Sequence, residues 1–262
     1  MADRVANASW NAMLKRSTTS TGKPGLRKPD KDKHMAFYEQ LIDTTRGERE
    51  FLMSAPVISD TLAGRITLPR YQAFLSQAFH HVRHTVPLLM LAGGRLPQRY
   101  KRLQQGFVHY LEEEIGHDEW ILNDIRAAGG DAEAVRNSLP YPETDALVAY
   151  VYDTVQRRNP LGIFGMVFVL EGTSVALALQ AADRIQATLK LPDAAFTYLR
   201  SHGTLDQQHV QHLQNLLLQI VDRDDQASVT QCARAMFWLY GQMFRGLDRA
   251  TATTASTRRK IA

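Results

Sequence analysis

The longest apolar stretch of the chain runs from Leu161 to Val169 and resumes at Val175–Leu179, and one carboxylate, Glu171, interrupts it. A helix that is apolar nearly all round is buried on every side. The stretch therefore predicts a central helix, opened by Asn159-Pro160 and reaching about Leu189, against which the rest of the chain packs. It falls short of the 18 or so uninterrupted apolar residues that a membrane span needs, so no membrane segment is expected. A charge on such a helix is costly unless a positive group or a proton compensates it. An arginine such as Arg83 would serve; a metal ion is the better candidate. Gly165 and Gly172, on the same helix, leave room for a second backbone or a ligand to approach closely.

Helical patterns dominate elsewhere, with proline and glycine at the joints and no alternating strand pattern. One helix starts near His34 with Phe37, Leu41 and Ile42 and ends before Pro56. Leu68-Pro69 opens a long one to Gly93-Gly94, and Pro97 opens another that runs to Ala127 and stops at Gly129-Gly130. A shorter helix covers about 144–156. Pro192 opens a further one that ends near Asp222–Asp225, and the last spans roughly 226–248. This predicts an all-α fold, and 262 residues suffice for one large core. The expected organisation is a flexible basic lead over residues 1–33, a helical domain over 34–248 and a flexible basic tail over 249–262.

The basic balance of the chain lies in those two ends. Residues 1–33 carry a net +5 and residues 249–262 a net +4, which leaves −5 for the body. Specific nucleic-acid binding is therefore not expected; basic tails attract polyanions without specificity. The single cysteine, Cys232, excludes an internal disulfide and a cysteine-rich zinc module. No secretory signal pattern opens the chain, and a reducing cytoplasm fits best.

Three segments carry metal-ligand chemistry. The first is Glu112-Glu113-Glu114-Ile115-Gly116-His117, in which Glu114 and His117 are three apart, on one helical face. Glu-x-x-His is the spacing with which di-iron carboxylate bundles supply two ligands. The second is Glu171. The third is His202, Asp206 and His209, whose offsets of four and seven residues put all three on one stripe; His212 reads as a neighbour or a surface group. Three carboxylates against two divalent cations leave a nearly neutral cluster, as a buried site requires. Nitrogen and oxygen donors without thiolate suit iron or manganese, although zinc would satisfy the same donors.

In this order, the motifs resemble those of the heme oxygenase-like di-iron oxidases, relatives of the thiaminase-II and pyrroloquinoline-quinone-synthase folds, over residues 35–248. The resemblance implies a bundle of about seven helices, two Fe(II) ions held by Glu114, His117, Glu171, His202, Asp206 and His209, and dioxygen as cosubstrate. Glu113 replaces Glu114 on a variant of the pattern. A thiaminase-II enzyme needs a cysteine in its pocket, and Cys232 sits late, without a charged partner nearby in sequence. His34 is a poor match to a proximal heme ligand. The cluster Phe79-His80-His81-Val82-Arg83-His84 supplies the expected pocket groups: His84 and Arg83 as cavity-lining residues, with Arg83 placed for a substrate carboxylate. The function expected is oxidation of a small molecule by a non-heme di-iron centre, with an electron donor where needed and a homodimer as the assembly. A metal-free oxidase of the quinone-synthase type, using His84, and a non-catalytic binding protein are the alternatives.

Overall fold

A computed structural model describes residues 31–249, with side-chain surroundings for 37–203 and 209–249. Among the described residues there are twelve α-helices and no strand. They are α1 Lys31–Thr44, α2 Arg46–Met53, α3 Pro56–Leu62, α4 Leu68–Val82, α5 Thr85–Gly94 and α6 Leu103–Glu114. There follow α7 His117–Ala127, α8 Ala132–Arg136, α9 Pro142–Asp153, α10 Ile163–Leu189, α11 Thr197–Leu217 and α12 Arg223–Gly246.

The apolar segment forms α10, and α10 is the centre: α11 and α12 flank it along its length, and α3 and α5 touch it. It is long and apolar enough to cross a membrane by length and composition, but 83% of its apolar window is buried inside the protein. Gly165 is where α12 comes closest. A Cβ there would stand 2.4 Å from the Val229 carbonyl oxygen and 2.6 Å from the Ala233 nitrogen, so only glycine permits this approach. On the opposite flank Gly203 of α11 abuts Leu179, whose Cγ would lie 2.6 Å from an added Cβ.

Three helices expected as single rods are each broken, the first of them at Thr45, and the other two breaks bear on the site. The helix from Leu68 divides into α4 and α5 at Arg83-His84. Pro87 explains the position, because it has no N–H to bond the carbonyl four residues earlier, at Arg83. The helix opened by Pro97 begins as a 3₁₀ turn, Gln98–Tyr100, and divides into α6 and α7 at Ile115-Gly116. Ile115 is extended, with ψ 121°, and Gly116 is left-handed, with φ +92°, a conformation available to glycine at little cost. The three breaks, with the short helices α3 and α8, bring the seven expected helices to twelve.

Two buried carboxylates join the helices. Asp124 of α7 is fully buried and accepts the backbone N–H groups of Thr197 and Tyr198 at 3.0 and 2.8 Å. It thereby satisfies donors that the first turn of α11 leaves open and holds that turn against α7. Burial pushes its carboxyl up to about 6 despite those bonds. Asp225 of α12 receives bonds from Arg99, the Tyr100 hydroxyl and Asn159, at 2.9, 2.7 and 2.6 Å.

Candidate metal centre

Glu114 is the last residue of α6 and His117 the first of α7, so they flank a two-residue helix break and do not sit on one continuous helix. The left-handed turn at Gly116 still brings them together: Glu114 Oε2 lies 3.2 Å from His117 Nδ1. His202 on α11 completes a trio, its ring centred 4.6 Å from that of His117. One ligand atom from each of Glu114, His117 and His202 lies within 4.8 Å of the other two. The Nδ1 of His202 stands 3.1 Å from the Tyr198 carbonyl oxygen. Donation there puts the proton on Nδ1 and leaves Nε2 as the lone-pair donor a metal needs. Trp120 packs on His117 at 4.1 Å between ring centres and orients it.

A second group adjoins the first. His209 is 1% exposed. Its Nε2 lies 2.7 Å from Glu113 Oε2 and its Nδ1 lies 3.7 Å from Glu171 Oε1. Glu113 and Glu114 therefore face different imidazoles. Asp206 belongs to the same helix, and its side chain lies outside the described residues. Glu171 faces His209, whereas Arg83 is exposed and stacks over the Phe79 ring at 5.2 Å.

The donor set suits a divalent cation. Burial pushes the Glu114 carboxyl up, but the imidazoles of His117, His202 and His209 outweigh it and hold the group below its ordinary value. Glu113 Oε2 and His117 Nδ1 are fully buried yet make no properly angled hydrogen bond with protein. Acidic and imidazole atoms buried this way are what an ion satisfies, and the absence of thiolate among them fits iron or manganese.

Glu114, His202 and Glu171 line a cavity of about 140 Å³ between α10, α3, α4, α5, α6, α11 and α12, whereas His117 does not line it. Its walls are mainly apolar, among them Ile58, Leu89, Met166, Leu170, Leu177 and Phe244. The expected pocket groups are corrected here. Arg83 points to the surface, and His84 stands at the α4–α5 break with Nδ1 3.2 Å from the Tyr152 hydroxyl; neither lines the cavity. Their neighbour His81 does. Its place was visible in the spacing, since it follows Phe74 by seven residues on the inward stripe of α4. Cys232 is absent from the cavity walls. It is buried beside Gly162 and Gly165, and burial pushes its thiol up to about 12, which leaves it unreactive.

The fold recurs in solved structures. A domain of unknown function with a heme oxygenase-like fold from Shewanella denitrificans superimposes with a TM-score of 0.74 at 23% identity, over 85% of this chain and 95% of that one. A TenA homolog from Pseudomonas syringae gives 0.71 at 12% identity, over 89% and 100%. Heme oxygenase from Leptospira interrogans gives 0.64 at 14%, over 80% and 98%. At these identities the likeness is one of fold. No curated protein matches the sequence. The family profile described as iron-containing redox enzyme matches residues 72–241, a span that takes in Glu113, Glu114, His117, Glu171, His202, Asp206 and His209. The chain belongs to the iron-containing redox enzyme family and has its heme oxygenase-like all-α fold.

Proposed function

We propose that this protein is a non-heme di-iron oxidase or oxygenase that uses dioxygen to oxidise a small molecule held in the apolar cavity. The observation that carries the reading is the convergence of Glu114, His117 and His202 on one point, with Glu114 and His202 on the cavity wall, beside a second acidic and imidazole group at Glu171 and His209. Glu114, His117 and His202 would hold one ion; Glu171, Asp206 and His209 would hold the other. Bound iron supplies electrons to dioxygen, which protein side chains alone do not do.

The remaining work belongs to the chain. Glu114 and Glu171 offset the cationic charge inside a dry wall, where it would otherwise be costly. Tyr198 keeps the His202 proton on Nδ1. Glu113 Oε2 stands between His209 Nε2 at 2.7 Å and His109 Nε2 at 3.4 Å, and His109 reaches the surface. An external electron donor is required wherever the substrate supplies too few electrons to take dioxygen to water. The reaction is placed in the cytoplasm, where the free thiol of Cys232 stays reduced.

The test is anaerobic loading with Fe(II), a count of iron bound per chain, and admission of oxygen while the visible spectrum is followed. Up to two irons per chain and a transient band are expected. A count that stays at zero or one iron per chain with candidate substrates present would sink the di-iron reading, and a count of zero would leave the metal-free alternative.

A further inference from the structure

Three buried polar atoms on the cavity wall have no hydrogen-bond partner in the protein: His81 Nε2, Thr173 Oγ1 and Ser174 Oγ. His81 is 5% exposed and Thr173 4%. Leaving one such group unsatisfied costs on the order of 1–3 kcal/mol. Here three are left on one cavity that is otherwise walled mainly by aliphatic and aromatic side chains. Serine and threonine on a helix commonly bond back to the carbonyl one turn earlier, which neither of these does. Thr173 and Ser174 follow Glu171 directly on α10, and His81 looks across from α4, near enough to His202 for each to disfavour charge on the other. Burial, helped by His202, pushes His81 down to about 3, so its ring is neutral and offers one donor and one acceptor.

No lysine or arginine lines the cavity among the described residues. A substrate carboxylate or phosphate would therefore meet no protein cation there, and the wall already carries Glu114 and Glu171. The lining residues of α10 run from Met166 to Ile185, which at ~1.5 Å per residue is roughly 28 Å of helix. The space is accordingly long and narrow.

We infer that the cavity takes an elongated apolar molecule with one uncharged hydrogen-bonding head group, such as an amide, ketone or alcohol, and that His81, Thr173 and Ser174 bind the head. The head sits beside the donor cluster, which places the neighbouring carbons of the chain where oxidation occurs. This inference rests on the reading above for the reaction, and on the cavity alone for the ligand.

The probe is octanamide, titrated calorimetrically into the chain before Fe(II) is added, so that no metal ion answers a charged head. The comparisons are octanoate and 2-methyloct-1-ene, the latter similar in length but without a polar head. Octanamide is expected to bind tighter than octanoate. Its affinity should fall about tenfold in His81→Leu and again in a Thr173→Val, Ser174→Ala double variant, the effect of one lost buried hydrogen bond. The alkene should bind each variant as well as it binds wild type. Iron stoichiometry should be unchanged in both variants, and thermal stability at neutral pH equal to or above that of wild type, since each removes an unsatisfied buried polar group. Tighter binding of octanoate than of octanamide would overturn the inference. So would octanamide binding that is absent, that ignores both variants, or that falls in step with the alkene. If Fe(II) does not bind at all, the di-iron reading fails, while the octanamide titration of the same chain still decides this one.

Discussion

Glu171 shows how one residue is set by its surroundings. It is 7% exposed on the long apolar central helix α10, and His209 is its neighbour. In the metal-free protein a desolvated carboxylate is a liability, and a neutral amide of the same shape relieves it. Glu171→Gln is therefore expected to melt at or above the temperature of metal-free wild type. It should also lose the rise in melting temperature that Fe(II) gives wild type, because a ligand stabilises only the state that binds it. Differential scanning calorimetry with and without Fe(II) checks both. Strong destabilisation with Fe(II) binding retained would make Glu171 a structural partner of His209. At the same scale the sequence indicated which residue types gather, and it mistook their companions. His84 and Arg83 were expected in the pocket and His81 is found there, because the break before Pro87 ends the helical register on which the expectation depended.

At the scale of elements, the break between α6 and α7 is the joint that matters. Spacing alone puts Glu114 and His117 one turn apart on a continuous helix; the backbone achieves their proximity across a left-handed break at Gly116 instead. Gly116→Ala has open space for its methyl group, so the cost is conformational: about 1 kcal/mol or somewhat more for holding an L residue at φ +92°. The expected result is a small fall in melting temperature with a larger, several-fold loss of Fe(II) affinity, as the joint relaxes and Glu114 parts from His117. Equal iron affinity in wild type and variant, measured by anaerobic titration, would show that the trio does not depend on the turn. That α11 carries both His202 and His209 toward the donor groups was legible from their offset of seven residues. The attachment of α11 to α7 was not, because Asp124 caps α11 from 73 residues away in sequence, at Thr197, and nothing local announces that bond.

For the whole molecule, burial of neutral histidines links the core to pH. Burial holds His80 and His84 below their ordinary value, and His81 falls furthest, to about 3. Between about 6.5 and 3 the unfolded chain binds a proton at position 81 that the folded chain does not. The stability that comes from a neutral His81 is thus complete above about pH 6.5 and is lost as pH falls through that window, at up to ~1.4 kcal/mol per pH unit. The metal-free protein should accordingly melt at progressively lower temperature as pH falls from 6.5 to 4. His81→Leu should show a shallower dependence over the same range, and parallel curves would place the acid sensitivity elsewhere.

What the sequence determined by itself was whatever periodicity and composition encode locally. The all-α class, the burial of α10, the Pro and Gly joints and the chemical character of the donor cluster all follow from which residues recur every three or four positions and from the cost of a carboxylate among apolar neighbours. Only the tertiary structure decided how those donors divide, with Glu114, His117 and His202 in one group and Glu113, Glu171 and His209 in another. It also decided which member of the histidine cluster reaches the cavity, and that no lysine or arginine waits there among the described residues. These facts depend on helix breaks of two residues and on contacts between helices far apart in sequence. A helix break of that length rotates every later side chain to a new direction, and local spacing carries no record of which distant helix packs against it.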